Sequence, residues 1–378
     1  MTKFLILFLL ISCAHQQAER FPSAVTEGIL SWEAWPLERE GCQNKKDDFL
    51  ARHSSLKVTY EKKLNQNCHV VTGKWKDFFT GEEFTEASDA VVTTVVPFQH
   101  LRHKGLQDMP AIRISAMNRD DDFLIVLKKS GDGYKLHQQN TYSPTSAPTV
   151  IANQCAFFGM WKDMKDKWGI KFRKDEKNLL KEKSDFCSSP DAYDRELFKH
   201  WSKLPGQNCH TRMESLKRDT VHPLENKEAT NCEDLTGGRW LDLYSGNMID
   251  DHKLIDIDHF VPLMNAYVSG GWKWPWWKKE NYANYMKDSL HLVSVSAREN
   301  RSKGAKHPGL YMPPLESFHC EYIKQWVAIK FRWNLAFTTD EASALEVYSM
   351  KCGIDVKEAM MESVDLLQSG RMSVELKE

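Results

Sequence analysis

The chain has 378 residues, 41% of them hydrophobic, with 51 Lys and Arg against 52 Asp and Glu. That length suggests two domains, and the apolar share is ample for real cores. A formal net charge of −1 excludes a chain that gathers nucleic acid by its overall charge, so any such attraction must be local.

The chain opens on MTKFLILFLLISCAHQ, with Lys3 ahead of an apolar run from Phe4 to Ile11. The run is too short to span a bilayer permanently and reads as a signal peptide over residues 1–12. Ser12 followed by Cys13 resembles the lipobox of bacterial lipoproteins, in which the cysteine becomes the lipidated first residue. Ala14 follows, not Asp, and by the same resemblance the lipid on Cys13 is expected to hold the chain at the outer membrane. Ordinary signal-peptidase cleavage nearby is the alternative. Residues 13–28 read as a linker, and no other segment is long and apolar enough to span.

Beyond Cys13 the cysteines fall into two sets of four: 42, 68, 155 and 187, then 209, 232, 320 and 352. Cys155 and Cys187 both recur 165 residues later, and Cys68 and Cys42 recur after 164 and 167. NCHVVTGKWKDFFTG (67–81) matches NCEDLTGGRWLDLYSG (231–246), and QCAFFGMWKDMKDKWGIKF (154–172) matches HCEYIKQWVAIKFRWNLAF (319–337). The repeat unit is a whole domain. Two tandem copies are expected, over 29–187 and 188–352, joined at FCSSPDAYDREL (186–197), whose turn formers lead into what reads as a capped helix. Helices are expected over 341–352 and 355–368, with 353–378 as a C-terminal helix and tail. An even cysteine set behind an export signal implies disulfides. The shortest loops pair Cys42 with Cys68, Cys155 with Cys187, Cys209 with Cys232 and Cys320 with Cys352, while a zinc–thiolate site lacks any Cys-x-x-Cys spacing.

DAVVTTVVPF (89–98) and LIDIDHFVPL (254–263) are the same strand-like element, but Asp258-His259 stands in the second where Thr93-Thr94 stands in the first. In the second copy a strand-like LHLVSVS (290–296), opened by His291, and a basic ARENRSKGAKHP (297–308) follow. Hydrolysing a phosphodiester needs a base for water, a counter-charge for the phosphate and help for the leaving oxygen. A neutral His259 suits the first task. A hard divalent cation held by a carboxylate and an amide oxygen suits the others, and Asp258 and Asn300 offer those oxygens. Arg298, Arg301, Lys303 and Lys306 are candidates to hold phosphate, although such a run alone is more often a solvated helix face.

The order Asp-His-x-Val-Pro-Leu, apolar strand, Asn-Arg-Ser-Lys-Gly resembles the HNH branch of the His-Me finger (ββα-metal) endonucleases. More closely, residues 190–352 resemble the secreted HNH domains related to the C-terminal domain of GmrSD-type restriction enzymes. The shared marks are Gly238-Arg239-Trp240, Tyr244-Ser245-Gly246, the Asp-Ile-Asp-His core, a Trp-rich loop GGWKWPWWKK (270–279), Pro313-Pro314, Cys320-Glu321-Tyr322 and Trp326. The resemblance implies an α+β fold built around a ββα-metal finger. It also implies His259 as general base, Asp258 and Asn300 as ligands of a divalent metal (Mg²⁺ foremost, Mn²⁺ next), and nucleic acid, DNA first, as substrate. His291 stands where the family carries its middle Asn, which braces the finger loop; a histidine can also donate to a carbonyl. Asp256, two residues before Asp258, is expected on the same strand face, behind the ligands. The loop tryptophans either fill the core or stack on unpaired bases.

The first copy has no Asn-Arg-Ser-Lys-Gly, and its Thr93-Thr94 offers neither base nor charged ligand. It reads as a degenerate copy kept for packing against the second, or for binding a substrate or partner. The alternative for the whole chain is a non-catalytic surface or envelope lipoprotein on the same scaffold.

Overall fold

The computed structural model describes residues 45–62, 68–97, 100–101, 109–139, 143–146, 151–204, 206–225, 232 and 235–354. Cys13, the segments 1–12 and 13–28, the Cys42–Cys68 pairing and the helix expected over 355–368 lie outside the described residues. What is described is a mixed α and β structure carrying disulfides.

The first half runs α1 (Lys45–Arg52), β1 (Thr59–Lys62), β2 (Cys68–Lys76), β3 (Glu83–Glu86), β4 (Ala90–Thr94), α2 (Ala111–Asn118), β5 (Leu124–Lys128), α3 (Asp132–Gln139), α4 (Ile151–Trp168) and α5 (Lys174–Cys187). The second runs α6 (Thr211–Asp219), β6 (Thr220–Leu224), β7 (Gly237–Leu241), β8 (Met248–Ile249), β9 (Ile255–His259), α7 (Leu263–Val268), α8 (Trp276–Ala283), β10 (Leu292–Ser296), α9 (Ala297–Lys303), α10 (His319–Arg332) and α11 (Thr339–Cys352). Each half has one antiparallel three-stranded sheet, β1-β2-β3 or β6-β7-β8, and one two-stranded ladder, β4-β5 or β9-β10.

The halves are alike bond by bond. Thr93 and Thr94 pair with Ile125 and Leu124 across β4-β5, as Asp258 and His259 pair with Val293 and Leu292 across β9-β10. The Trp75 indole donates to the Leu50 carbonyl at 2.8 Å, and that of Trp240 to the Leu216 carbonyl at 2.8 Å. Asp77 and Asp242 each tie the turn after their strand by accepting a backbone N–H two residues on. In the first half Trp161 and Lys165 of α4 both donate to Glu176 of α5; in the second, Trp326 and Lys330 of α10 both donate to Glu341 of α11. All three groups of each cluster are buried, so each charge is held only by its partners. Disulfides Cys155–Cys187 and Cys320–Cys352, each spanning 32 residues, clamp these helix pairs, and Cys209–Cys232 ties α6 to the chain before β7.

Helix ends follow local chemistry. Thr338 and Glu341 form a capping box at the start of α11, and Gly353 closes it in a left-handed conformation at φ 64°. Ser296 caps α9 by accepting from the Glu299 N–H. The junction does not form the helix its sequence suggests. It makes two single turns, Pro190–Ala192 and Arg195–Leu197. Tyr193 and Phe198 instead deliver their rings to Tyr267, at 5.5 and 6.5 Å between centroids, which calls for extended backbone around each turn.

The two halves exchange pieces of core. Trp277 of α8 lies in the first half's apolar cluster, its ring 5.9 Å from that of Phe49 and 5.2 Å from that of His53. In return Cys187 and Cys155 lie in or against the second half's cluster. Lys273 pairs with Asp163 at 2.9 Å and Lys278 with Asp122 at 3.5 Å across the same boundary.

Glu341→Gln would leave the buried Lys330 ammonium without its counter-charge. We expect a loss of about 3–5 kcal/mol, read as a fall in the denaturant midpoint. The exposed pair Lys183–Glu182 is the control, where Glu182→Gln should cost no more than about 1 kcal/mol.

Candidate active site

The site is built at the end of β9 and the start of α9. Side chains alternate along β9, so Asp256 and Asp258 leave the face that α9 covers. Asp258 is buried. Its Oδ1 accepts from Lys303 Nζ at 3.0 Å and its Oδ2 accepts from the Tyr244 hydroxyl at 2.7 Å. Lys303 Nζ also donates to the His259 carbonyl at 3.0 Å. Burial pushes the Asp258 carboxyl up and the Lys303 ammonium down from their ordinary pKa values, and the contact between them pulls each back. Burial, followed by the neighbouring Asp258, holds Tyr244 well above the usual phenol range, so its hydroxyl stays a donor.

His259 leaves the opposite face. Its Nε2 is 2.9 Å from the Ala283 carbonyl at the end of α8. A carbonyl only accepts, so Nε2 carries the proton and the lone pair sits on Nδ1. Nδ1 makes no hydrogen bond among the described residues. Burial lowers the imidazole pKa well below its usual value, which keeps the ring neutral. One face of the ring meets Trp201 at 5.7 Å between centroids and 31° between planes. Trp201 has φ 60°, a left-handed backbone that a bulky aromatic residue rarely adopts.

His291 donates from Nε2 to the Tyr282 carbonyl at 2.7 Å, one residue before the carbonyl that holds His259. Burial pushes its pKa down to about 4, so it too is neutral. Asn300 donates through Nδ2 to Asp256 at 3.0 Å. Asp256 is only partly buried, and Arg301 lies 4.0 Å from it. Arg298, Arg301 and Lys306 are exposed along α9 and just after it. Lys303 is not among them: it is wholly buried under Asp258, with no surface to offer a phosphate.

Residues 211–346 match the family of C-terminal domains of GmrSD restriction endonucleases. A protein of Arthroderma benhamiae, described as an uncharacterized secreted protein, is 34% identical over 155 residues, which make up 41% of this chain and 73% of that one. The chain belongs to one family with that protein. No solved structure matches it. The GmrSD-type stretch therefore contains every residue named above except Trp201, which lies just before it.

Tyr244, read from the sequence only as a mark of the family, and the Ala283 carbonyl are site groups to which the motifs assign no role. The internal alignment carries a signal for Tyr244, since Phe79 stands in its place and the first half lacks both the hydroxyl that reaches Asp258 and the aspartate. The Ala283 carbonyl carries no side-chain signal. Trp201 has no signal beyond being aromatic. At the corresponding place in the first half, Thr93 Oγ1 and His137 Nε2 are 2.7 Å apart, a neutral pair where the GmrSD-type half has a carboxylate and a cation.

The donor set can be tested against a hard divalent metal. Asp256 and Asn300 are oxygen donors in contact on the α9 side of β9, and Asp258 leaves the same face of the strand with both oxygens accepting from Lys303 and Tyr244. Asn300 spends its nitrogen on Asp256, which leaves Oδ1 uncommitted among the described residues. One amide oxygen and neighbouring carboxylates suit Mg²⁺ or Mn²⁺, which keep several waters. No group of three His, Cys, Asp or Glu side chains is gathered for a metal among the described residues, and such a donor set does not need one.

Lys279 of α8 is buried and donates to the carbonyls of Trp272 and Trp274, and burial lowers its pKa to about 7. Between that value and the unfolded lysine value of about 10.4 the unfolded chain binds the extra proton, so stability rises with pH across this window. We expect denaturant midpoints to rise from pH 7 to pH 9, and Lys279→Met to flatten that slope.

Proposed function

We propose that residues 188–352 are an HNH endonuclease domain that hydrolyses phosphodiester bonds in DNA, and in RNA as a secondary substrate, with little sequence preference. The single observation that carries this reading is His259: its Nε2 proton is spent on the Ala283 carbonyl, its ring is neutral, and Nδ1 is left as a proton acceptor with no hydrogen bond among the described residues. The match to the restriction-enzyme C-terminal family supports the nuclease class.

In this reading His259 Nδ1 takes the proton of the attacking water. The Ala283 carbonyl fixes the ring and stabilises the imidazolium that forms, because it accepts from the opposite nitrogen. Asp258 and Asn300, with Asp256 beside them, would hold the divalent metal, which supplies positive charge to the phosphate and the leaving oxygen. Lys303 and Tyr244 hold Asp258 in place from below. The exposed Arg298, Arg301 and Lys306 guide the backbone phosphates, which position a duplex without reading bases.

We further propose that the first half arose with the second by tandem duplication and has lost the catalytic groups. The relative described as secreted supports export of this chain as well, and no described helix is long and apolar enough to cross a membrane. Signal-peptide removal, lipid on Cys13 and attachment at the outer membrane complete the reading.

The test is nicking of supercoiled plasmid by protein starting after Cys13, with Mg²⁺ or Mn²⁺ and against EDTA, with single-stranded RNA in parallel. Cleavage should need the metal, and His259→Ala should lower its rate by about 10²–10⁴-fold with the fold intact. Cleavage of equal rate in His259→Ala would remove the histidine as base. No cleavage of either nucleic acid by folded, oxidised protein would overturn the nuclease reading.

A further inference from the structure

The helix that holds the candidate base is itself held by the first half. α8 is a single rod of eight residues. Near its start Trp277 sits in the first half's core against Phe49 and His53. At its end the Ala283 and Tyr282 carbonyls accept from His259 and His291. At about 1.5 Å per residue the rod is about 12 Å long, so a tilt at one end moves the other by a comparable amount.

Gly159 of α4 marks a second contact between the halves, with Lys273 three residues before α8 begins. It lies inside an 18-residue helix, where glycine costs about 0.5–1 kcal/mol relative to alanine. A Cβ there would stand 2.6 Å from Lys273 Cγ and 3.0 Å from the Lys273 backbone. Helix α10 matches α4 in its tryptophan, lysine and cysteine, yet carries the exposed Lys324 where α4 has Gly159. Glycine stands in α4 where a side chain would meet the Trp-rich segment of the second half. Lys273–Asp163 and Lys278–Asp122 flank that contact.

We infer that the first half serves the second as an anchor for α8, and that Trp277 and Gly159 are positioning residues for His259. This rests on the nuclease reading for its effect on rate, but not for the contact itself. The C-terminal end of α8 is also tied by the Tyr282 hydroxyl, which donates to the Val261 carbonyl at 2.6 Å. Loss of the Trp277 anchor therefore leaves this end in place with the axis free to tilt about it, which turns the Ala283 carbonyl away from its line to the imidazole.

The experiment uses the full oxidised chain and the variants Trp277→Ala, Trp277→Phe and Gly159→Ala. Plasmid-nicking kinetics are read beside hydrogen–deuterium exchange. Gly159→Ala improves the intrinsic propensity of α4, so it keeps the first half folded if Trp277→Ala does not. Misplacement of a catalytic group by about 1 Å can cost about 10²-fold. We expect kcat to fall by about 10-fold or more in Trp277→Ala and Gly159→Ala with KM within about twofold, Trp277→Phe to recover most of it, and exchange over 276–284 to quicken. Unchanged kcat in both variants, or a loss confined to KM, would overturn the positioning role. If the parent chain cleaves nothing, the nuclease reading falls alone: faster exchange over 276–284 in Gly159→Ala still upholds the anchor, and unchanged exchange overturns it.

Discussion

The bond from Lys303 to Asp258 organises the second half. An ammonium and a carboxylate withdrawn from water are costly unless each is fully met. Lys303 meets Asp258 and the His259 carbonyl, and Tyr244 meets the other carboxylate oxygen. Those contacts fix the last turn of α9 on the end of β9, the turn after β7 on the same carboxylate, and the backbone that carries His259. Asn300, one turn earlier on α9, is thereby brought to Asp256. The unit of β9, β10 and α9 is set by charge at its centre as much as by packing around it.

The same centre separates the two halves chemically. The first half retains the tryptophan-to-carbonyl bond, the aspartate turn, the ladder register and the buried Trp–Lys–Glu cluster. Phe79 stands there where the second half has Tyr244, and Thr93 where it has Asp258, so the carboxylate and its hydroxyl donor are both missing. Losing only one would have left either a buried carboxylate short of a donor or a buried hydroxyl without an acceptor, each at a cost of about 1–3 kcal/mol. Scaffold bonds and site bonds are therefore separable in this fold, and the second set can be deleted without dissolving the first.

Much of this was readable from residues because repeated cysteines, tryptophans and strand patterns impose a register on the alignment. The strands at 90–94, 255–259 and 292–296 and the helix at 339–352 follow from alternation, caps and turn formers. What escaped reading has a common character. The depth of Lys303 depends on which face of α9 meets β9, and seven residues of mixed polarity do not say. The Ala283 carbonyl is a backbone group, invisible to any motif. The single turns at 190–197 reflect distant partners for Tyr193 and Phe198, and tertiary demand overrode a good local capping signal. The loop tryptophans fill cores, with Trp277 filling the core of the other half, which only the fold could reveal.

The placement of Cys155 and Cys187 carries a consequence for biogenesis. A chain emerges from synthesis N-terminus first, and domains mature in that order. The sulfurs that close α4 onto α5 belong by sequence to the first half, yet Cys187 lies within the second half's apolar cluster and Cys155 packs against it. The later half therefore has no complete floor on which to assemble until the earlier one has folded and been oxidised. In a reducing compartment that floor would be two unjoined thiols on helices held together by Trp161, Lys165 and Glu176. Completion of the later half's core is thus tied to the redox chemistry of the earlier one.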